Sequence, residues 1–193
     1  TTAANNTAVG VSALKLTTTG ANNTGLGRGA LLANTTGALN TAVGREAMLA
    51  NISGSENTGV GRNALGANTT GASNVAAGAL SLAANTTGTG NSALGVEALN
   101  DATTGDYNVA IGYQSQRLTT TPDNNTSLGA YSLYDNTTGA SNTAIGMSAL
   151  GNNTTAANNT AVGYAALVLN STGYQNTAIG SGAGDLTTTG HSN

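Results

Sequence analysis

One glycine returns every 17 residues: Gly10, Gly27, Gly44, Gly61, Gly78, Gly95, Gly112, Gly129, Gly146, Gly163 and Gly180, with no insertion or deletion across eleven copies. A strict short period is the mark of a stacked or fibrous repeat, in which each unit is one small structural element that contacts its neighbours. It outranks every other signal in the chain. Eleven units of 17 residues account for 187 of the 193 positions (11 × 17 = 187), so the chain reads as a single repeat array over residues 1–193 with no separate globular domain.

Composition supports this reading. Aromatic residues make up 3 %, and Phe and Trp are absent, which starves a conventional globular core. Yet 38 % of the chain is apolar, and Leu, Val and Ile recur at fixed places, which argues against disorder. Five Lys or Arg against eight Asp or Glu leave no basic track for a phosphate backbone, so nucleic acid is not an expected partner. Without Cys there is no disulfide framework or thiolate metal site. No apolar run approaches a membrane span, so no membrane insertion is expected. The chain starts and stops inside repeat units, and is expected to be a window from a longer protein whose targeting and terminal domains lie elsewhere.

Each unit can be numbered from its glycine as position zero. Position −4 is Asn in every copy: Asn6, Asn23, Asn40, Asn57, Asn74, Asn91, Asn108, Asn125, Asn142, Asn159 and Asn176. Position −1 is always apolar, from Val9 to Ile179, with Ala77 the smallest. Position +3 is Ala or Ser, and +4 is Leu in eight copies, with Met48, Gln116 and Gly184 as departures. Positions +8 and +9 are mostly Thr-Thr, and +10 is Gly except at Pro122 and Ala156.

The alternation from −4 to −1 predicts a short strand, with Thr and Val or Ile on one face and Asn and Ala on the other. The glycine ends it, at a turn or a close backbone approach. Positions +1 to +6 read either as a second strand or as one or two helical turns. The Asn-Thr-Thr-Gly segment reads as a turn. If one unit is one coil, like residues stack about 4.8 Å apart. The −4 asparagines then form a side-chain amide ladder between coils, the device that stabilises cross-β stacks; the plainer alternative is that each caps a turn.

Taking −1 and +4 as the two large buried positions, one coil hides little apolar surface for the backbone it must order. A second source of burial, between chains, would help, and the small residues at +3 suit close approach of another element. A homotrimer is therefore expected. The successive Arg28, Arg45 and Arg62 at +1 repel mildly at one-coil spacing, which also leaves room for intertwined chains that advance further per repeat.

The Asn-Thr-Ala-Val/Ile-Gly-x-x-Ala-Leu unit, followed by Asn-Thr-Thr-Gly, resembles the repeats of phage tail-fibre proteins. It is also similar to the head repeats of trimeric autotransporter adhesins, with Asn108-Val109-Ala110-Ile111-Gly112 closest to their Asn-Ser-Val-Ala-Ile-Gly-like motif. The resemblance spans the chain. It implies a trimeric parallel β-roll or related β-fibre, displayed extracellularly, on a cell surface or on a virion.

Catalytic constellations are absent from the pattern, so no enzyme, cofactor or metal is expected. His191 stands alone, and the eight carboxylates occupy scattered repeat positions; only Asp101 and Asp106 could approach the separation a glycosidase needs. Sequons such as Asn34-Thr35-Thr36 and Asn68-Thr69-Thr70 read either as glycan acceptors in a eukaryotic secretory pathway or, more simply, as by-products of the turn. The six tyrosines lie in the C-terminal half, and Tyr113, Tyr131, Tyr134 and Tyr164 are candidates for a ligand surface.

The sequence thus predicts an all-β, elongated β-solenoid or trimeric β-fibre. The function expected of it is structural: the shaft or spacer of a surface fibre, associated with itself as a homotrimer or filament. Any host-surface glycan or protein would be bound through a tip domain outside this chain, or through the variable positions +1, +2, +5, +11 and +12. The alternative is a repeat surface that binds ligand directly, either carbohydrate or, through stacked Thr-Thr rows, ice.

Overall fold

A computed structural model describes residues 2–193. Each repeat contributes one strand of three residues. In chain order β1 to β11 are Thr7–Val9, Thr24–Leu26, Thr41–Val43, Thr58–Val60, Val75–Ala77, Ser92–Leu94, Val109–Ile111, Thr126–Leu128, Thr143–Ile145, Thr160–Val162 and Thr177–Ile179. They form one parallel sheet in sequence order, each residue paired with the one 17 places on, as Thr41 with Thr58 and Val43 with Val60. The chain is an all-β parallel solenoid with no helix among the described residues. Ten strand spacings make it about 48 Å long. Every neighbouring strand slot is filled by the next repeat of the same chain, so no second chain can thread between coils. The intertwined arrangement that the spaced arginines left open is not the one this single-chain stack adopts.

The strand alternates as predicted, but its buried side is the small one. Ala42, Ala76, Ala110, Ala144 and Ala161, at −2, are fully buried. The larger −1 residues point outward: Leu94 is 53 % exposed and Ile111 37 %. The expectation that −1 and +4 are the two large core positions is therefore half wrong. Period-two patterning separates two faces without saying which is inner. The decision comes from space: inside so thin a coil, −2 must share the interior with Leu at +4, and only a small side chain fits. Where +4 is the longer Met48, the −2 residue above it is Gly59, and a β-carbon there would lie 3.0 Å from Met48 Cγ.

Position +3 is also internal. Ala30, Ala47, Ala64, Ala98 and Ala149 are completely buried by their own chain. The small-residue row is a core row and not a docking surface for another chain.

Positions +1 to +6 are neither strand nor helix. They form a ribbon of turns in which +2 and +4 take positive φ, for example Glu46 at 59° and Met48 at 52°. Its amides still bond between coils: Glu46 N–H donates to the Arg28 carbonyl of the preceding coil, and Met48 N–H to the Ala64 carbonyl of the next. A left-handed leucine costs roughly 1–2 kcal/mol locally. It is held there because the twist carries Leu31, Leu65, Leu99 and their equivalents into the interior, where they are fully buried.

The motif glycines adopt φ near 135°, and a β-carbon on Gly10 would lie 2.6 Å from the carbonyl of Gly27. The glycine row is thus a seam where backbone rests on backbone. Side chains are excluded there by conformation and by space alike.

Two columns of buried asparagine bind the coils. At −4, each Oδ1 accepts the backbone N–H of the next −4 asparagine, as Asn57 N to Asn40 Oδ1 at 3.0 Å. Its Nδ2 crosses the same coil to the +10 carbonyl, as Asn57 to Gly71 at 2.8 Å. These asparagines bond chiefly to backbone, so the contact survives where +10 is Pro122 or Ala156. The closer approach to a pure amide ladder stands at +7. There Asn51 donates to Asn34 Oδ1, Asn68 to Asn51 and Asn85 to Asn68, each at 2.8 Å. The sequons Asn34-Thr35-Thr36 and Asn68-Thr69-Thr70 begin with these buried, bonded amides. The folded chain offers neither to a glycosyltransferase.

These roles separate in a denaturant titration. Leu65→Ala should lower stability by about 2–5 kcal/mol through the cavity it leaves. Asn68→Ala should cost about 1–3 kcal/mol, because Asn51 Oδ1 and the Gly71 carbonyl lose a donor. Thr36→Ala, at an exposed +9 site, should stay within about 0.5 kcal/mol. Equal effects at Asn68 and Thr36 would show that the amide column contributes nothing.

Candidate functional site

Two surface features follow from this coil. The first is the outer face of the sheet. It presents two columns in register, Thr, Val or Ser at −3 and Val, Leu, Ile or Ala at −1, on a flat parallel ribbon. Val9, Leu26, Val60, Leu94, Ile111, Leu128, Ile145 and Ile179 are exposed there. A three-residue ribbon about 48 Å long and about 10 Å wide presents about 480 Å², of which the −3 column is mostly threonine and the −1 column is the apolar part. An unbroken exposed apolar strip of this kind is a candidate interaction surface.

The second lies around the glycine corner, on the turn ribbon of the coils holding Gly95, Gly112 and Gly129. Columns +1, +2 and +5 meet there. Tyr113 and Tyr131 sit edge to face with centroids 5.4 Å apart and planes at 87°, and Tyr134 joins Tyr131 at 5.8 Å and 60°. Arg117 Nη1 donates to the Tyr134 hydroxyl at 3.3 Å, and Arg117 Nε to Glu97 Oε2 at 3.0 Å. Gln114 Nε2 donates to the same carboxylate oxygen at 2.7 Å. Seventeen-residue spacing places these residues over one another. Of the four candidate tyrosines, the structure groups Tyr113, Tyr131 and Tyr134. Tyr164 stands three coils from Tyr113 in the same +1 column, about 14 Å away.

The electrostatics of the cluster follow from its bonds. Glu97 is held below the ordinary carboxylate range, first by the hydrogen bond from Gln114, then by Arg117. Arg117 is pushed up, first by its bond to Tyr134, then by Glu97. Both groups are partly in water, so the pair orients side chains more than it stabilises the fold.

The interior beneath the cluster departs from the repeat. Gln116 replaces Leu at +4 and is fully buried beside Ser115, Ser127 and Ser132. Its Nε2 donates to the Val109 carbonyl and to Ser127 Oγ, each at 2.8 Å. The apolar column is thereby split in two, one block ending at Ala110 and the other beginning at Leu133. The +7 amide column breaks at the same level, at Ala102 and Thr119, which leaves Asn85 Oδ1 without a donor. The repeat pattern showed Gln116 as an exception; it did not show that the exceptions share one level of the stack.

Other candidates have structural duties. Asp106 Oδ1 accepts the Thr89 N–H and Asp123 Oδ1 the Asp106 N–H, each at 2.7 Å, so both carboxylates cap neighbouring coils. His191 stacks on Tyr174, centroids 4.9 Å apart. Among the described residues no three His, Cys, Asp or Glu converge on a metal-sized site. The +8 threonine hydroxyls donate to the next coil's carbonyl, as Thr35 to Ile52 at 3.1 Å. The Thr-Thr rows are thus half committed to holding the stack. A hollow lined by Leu167, Ala178, Ala183 and Asn193 is the interior column open at the last coil, where Gly184 stands in place of leucine.

The chain matches no family model, and neither a curated protein nor a solved structure is significantly similar to it.

Glu97 supplies a pH test. Its lowered folded-state pKa means that its contribution is present above the unfolded-state value and is lost as pH falls through the folded one. In a carbon-detected NMR titration, Gln114→Ala should move the Glu97 midpoint up from its position in the parent protein. A Glu97 midpoint that is the same in the parent protein and in Gln114→Ala would show that the Gln114 bond is not formed in solution.

Proposed function

We propose that this solenoid is a structural shaft or spacer of an extracellular, cell-surface or virion fibre, and that it works as a side-by-side assembly of copies, a homotrimer by preference. The observation that carries the reading is the exposed aliphatic column at −1. It runs the length of the sheet, keeps its apolar character in all eleven copies, and does nothing for the chain's own interior. A side chain with no inward duty and a consistently apolar identity is accounted for by burial against another surface. The same column on a second copy matches it in pitch, since both repeat at one strand spacing. Uniform coils with few charges and many buried amides suit a stiff spacer, and the resemblance to fibre repeats agrees with that role.

A second reading has one observation on its side. Threonine and aliphatic columns on a flat sheet present a regular array of hydroxyls and methyls, the kind of surface that could order water and hold ice. The strand face, and not the Thr-Thr turn, is where such binding would occur.

Light scattering after size exclusion decides between them. The shaft reading expects a mass near three times 18.6 kDa, and Ile111→Asp with Ile145→Asp should return it to 18.6 kDa without loss of β-structure. A parent protein that is already an 18.6 kDa monomer would sink the shaft reading. Thermal hysteresis from that monomer, abolished by Thr143→Leu with Thr160→Leu, would establish the ice-binding one; no hysteresis would remove it.

A further inference from the structure

We infer that the aromatic corner formed by Tyr113, Tyr131 and Tyr134, with Arg117, Glu97 and Gln114, is a binding site for a neutral glycan on the side of the fibre. This goes beyond the shaft role, and it uses a different face from the self-packing one: the glycine corner separates the turn ribbon from the sheet.

The argument begins with shape. Tyr113 and Tyr131 stand at 87° to one another and remain 46 % and 41 % exposed. Two perpendicular rings make a floor and a wall. A pyranose offers a flat set of C–H groups to the floor and an edge of hydroxyls to the wall, so an apolar face and a polar rim meet it together. The rings hold one another, which removes part of the ordering cost of binding.

The polar groups are placed to complete the contact. Glu97 Oε2 already accepts from both Gln114 and Arg117, and Arg117 also reaches the Tyr134 hydroxyl. The side chains are thus oriented before any ligand arrives, while the second Glu97 oxygen, the Gln114 carbonyl and the remaining guanidinium N–H groups keep capacity for sugar hydroxyls. Charge selects the class. The +2, +5 and +6 columns of these coils carry Glu97, Asp101 and Asp135 against the single Arg117, a formal excess of two negative charges (3 − 1). Arg117 is already paired with Glu97 and is also attracted by Asp101. A sialylated or phosphorylated sugar would meet net repulsion, whereas a neutral hexose or N-acetylhexosamine would not.

The grouping is also local. The earlier coils bear arginine, valine or alanine at +1, and Tyr164 has no aromatic partner among the described pairs. The interior exceptions at Gln116, Ala102 and Thr119 fall at the same level, so these coils differ from the uniform stack both inside and outside.

The test is a printed array carrying neutral hexose and N-acetylhexosamine oligosaccharides beside sialylated ones, probed with the whole chain and read again by titration of any hit in solution. Neutral glycans should bind, and Tyr113→Ala with Tyr131→Ala should weaken binding at least tenfold while mass and thermal midpoint hold. Tyr164→Ala should leave binding intact. Absence of any neutral hit, binding restricted to sialylated glycans, or binding retained in the double variant would each overturn the assignment. Mass in solution is read separately, so failure of this site and failure of the shaft reading are distinguishable.

Discussion

The fold depends on a buried amide reaching from one coil to the next. A coil of 17 residues encloses too little apolar volume to hold itself, and its turns leave backbone groups that water cannot reach. The −4 asparagines answer both problems at once. Each ties the strand to the opposite turn through Nδ2 and anchors the next coil through Oδ1. Because both partners are backbone atoms, the bond tolerates changes of side chain around it. That is why it runs without interruption from Asn6 to Asn193, while the +7 amide column, which needs a like neighbour, breaks at Ala102.

A core built this way is narrow, and its narrowness shapes the outside. Alanine at −2 and +3 and leucine at +4 fill the interior. The larger aliphatic residue of each strand has no room inside and is turned outward. The solenoid therefore carries an apolar strip as a geometric by-product of thinness, and it is this strip that the proposed side-by-side assembly would cover. The turn ribbon is separate from the strip. Its side chains at +1, +2 and +5 are free to vary, and over three coils they collect into the tyrosine corner.

Much of the architecture was legible in advance. An unbroken period of 17, a four-residue alternation and a glycine at every corner leave little besides parallel stacked coils. The errors have physical causes. Alternation at −2 and −1 defines two faces but carries no sign, and the usual assumption that the larger residue faces inward fails where the interior is one leucine wide. Positive φ is ordinarily announced by glycine or asparagine. Here it falls on Leu31, Leu65 and Leu99, whose burial offsets the strain, so a ribbon of alternating handedness read as strand or helix. Asparagine at +7 looked like turn punctuation because Asn-Thr-Thr-Gly suits a turn; its burial and stacking became visible only with the coil closed.

By itself the sequence determined the repeat, the short strand and the glycine that ends it, because a period without insertions gives every unit the same local structure. That the neighbour of each residue is its copy 17 places away in the same chain, and that the glycines form a backbone seam, came with the structure. The tertiary structure alone decided which side of the strand is inner and where the leucine points. It also decided which of the scattered tyrosines meet. These are questions of enclosed volume and of distance across columns, and both quantities exist only once the coil has closed.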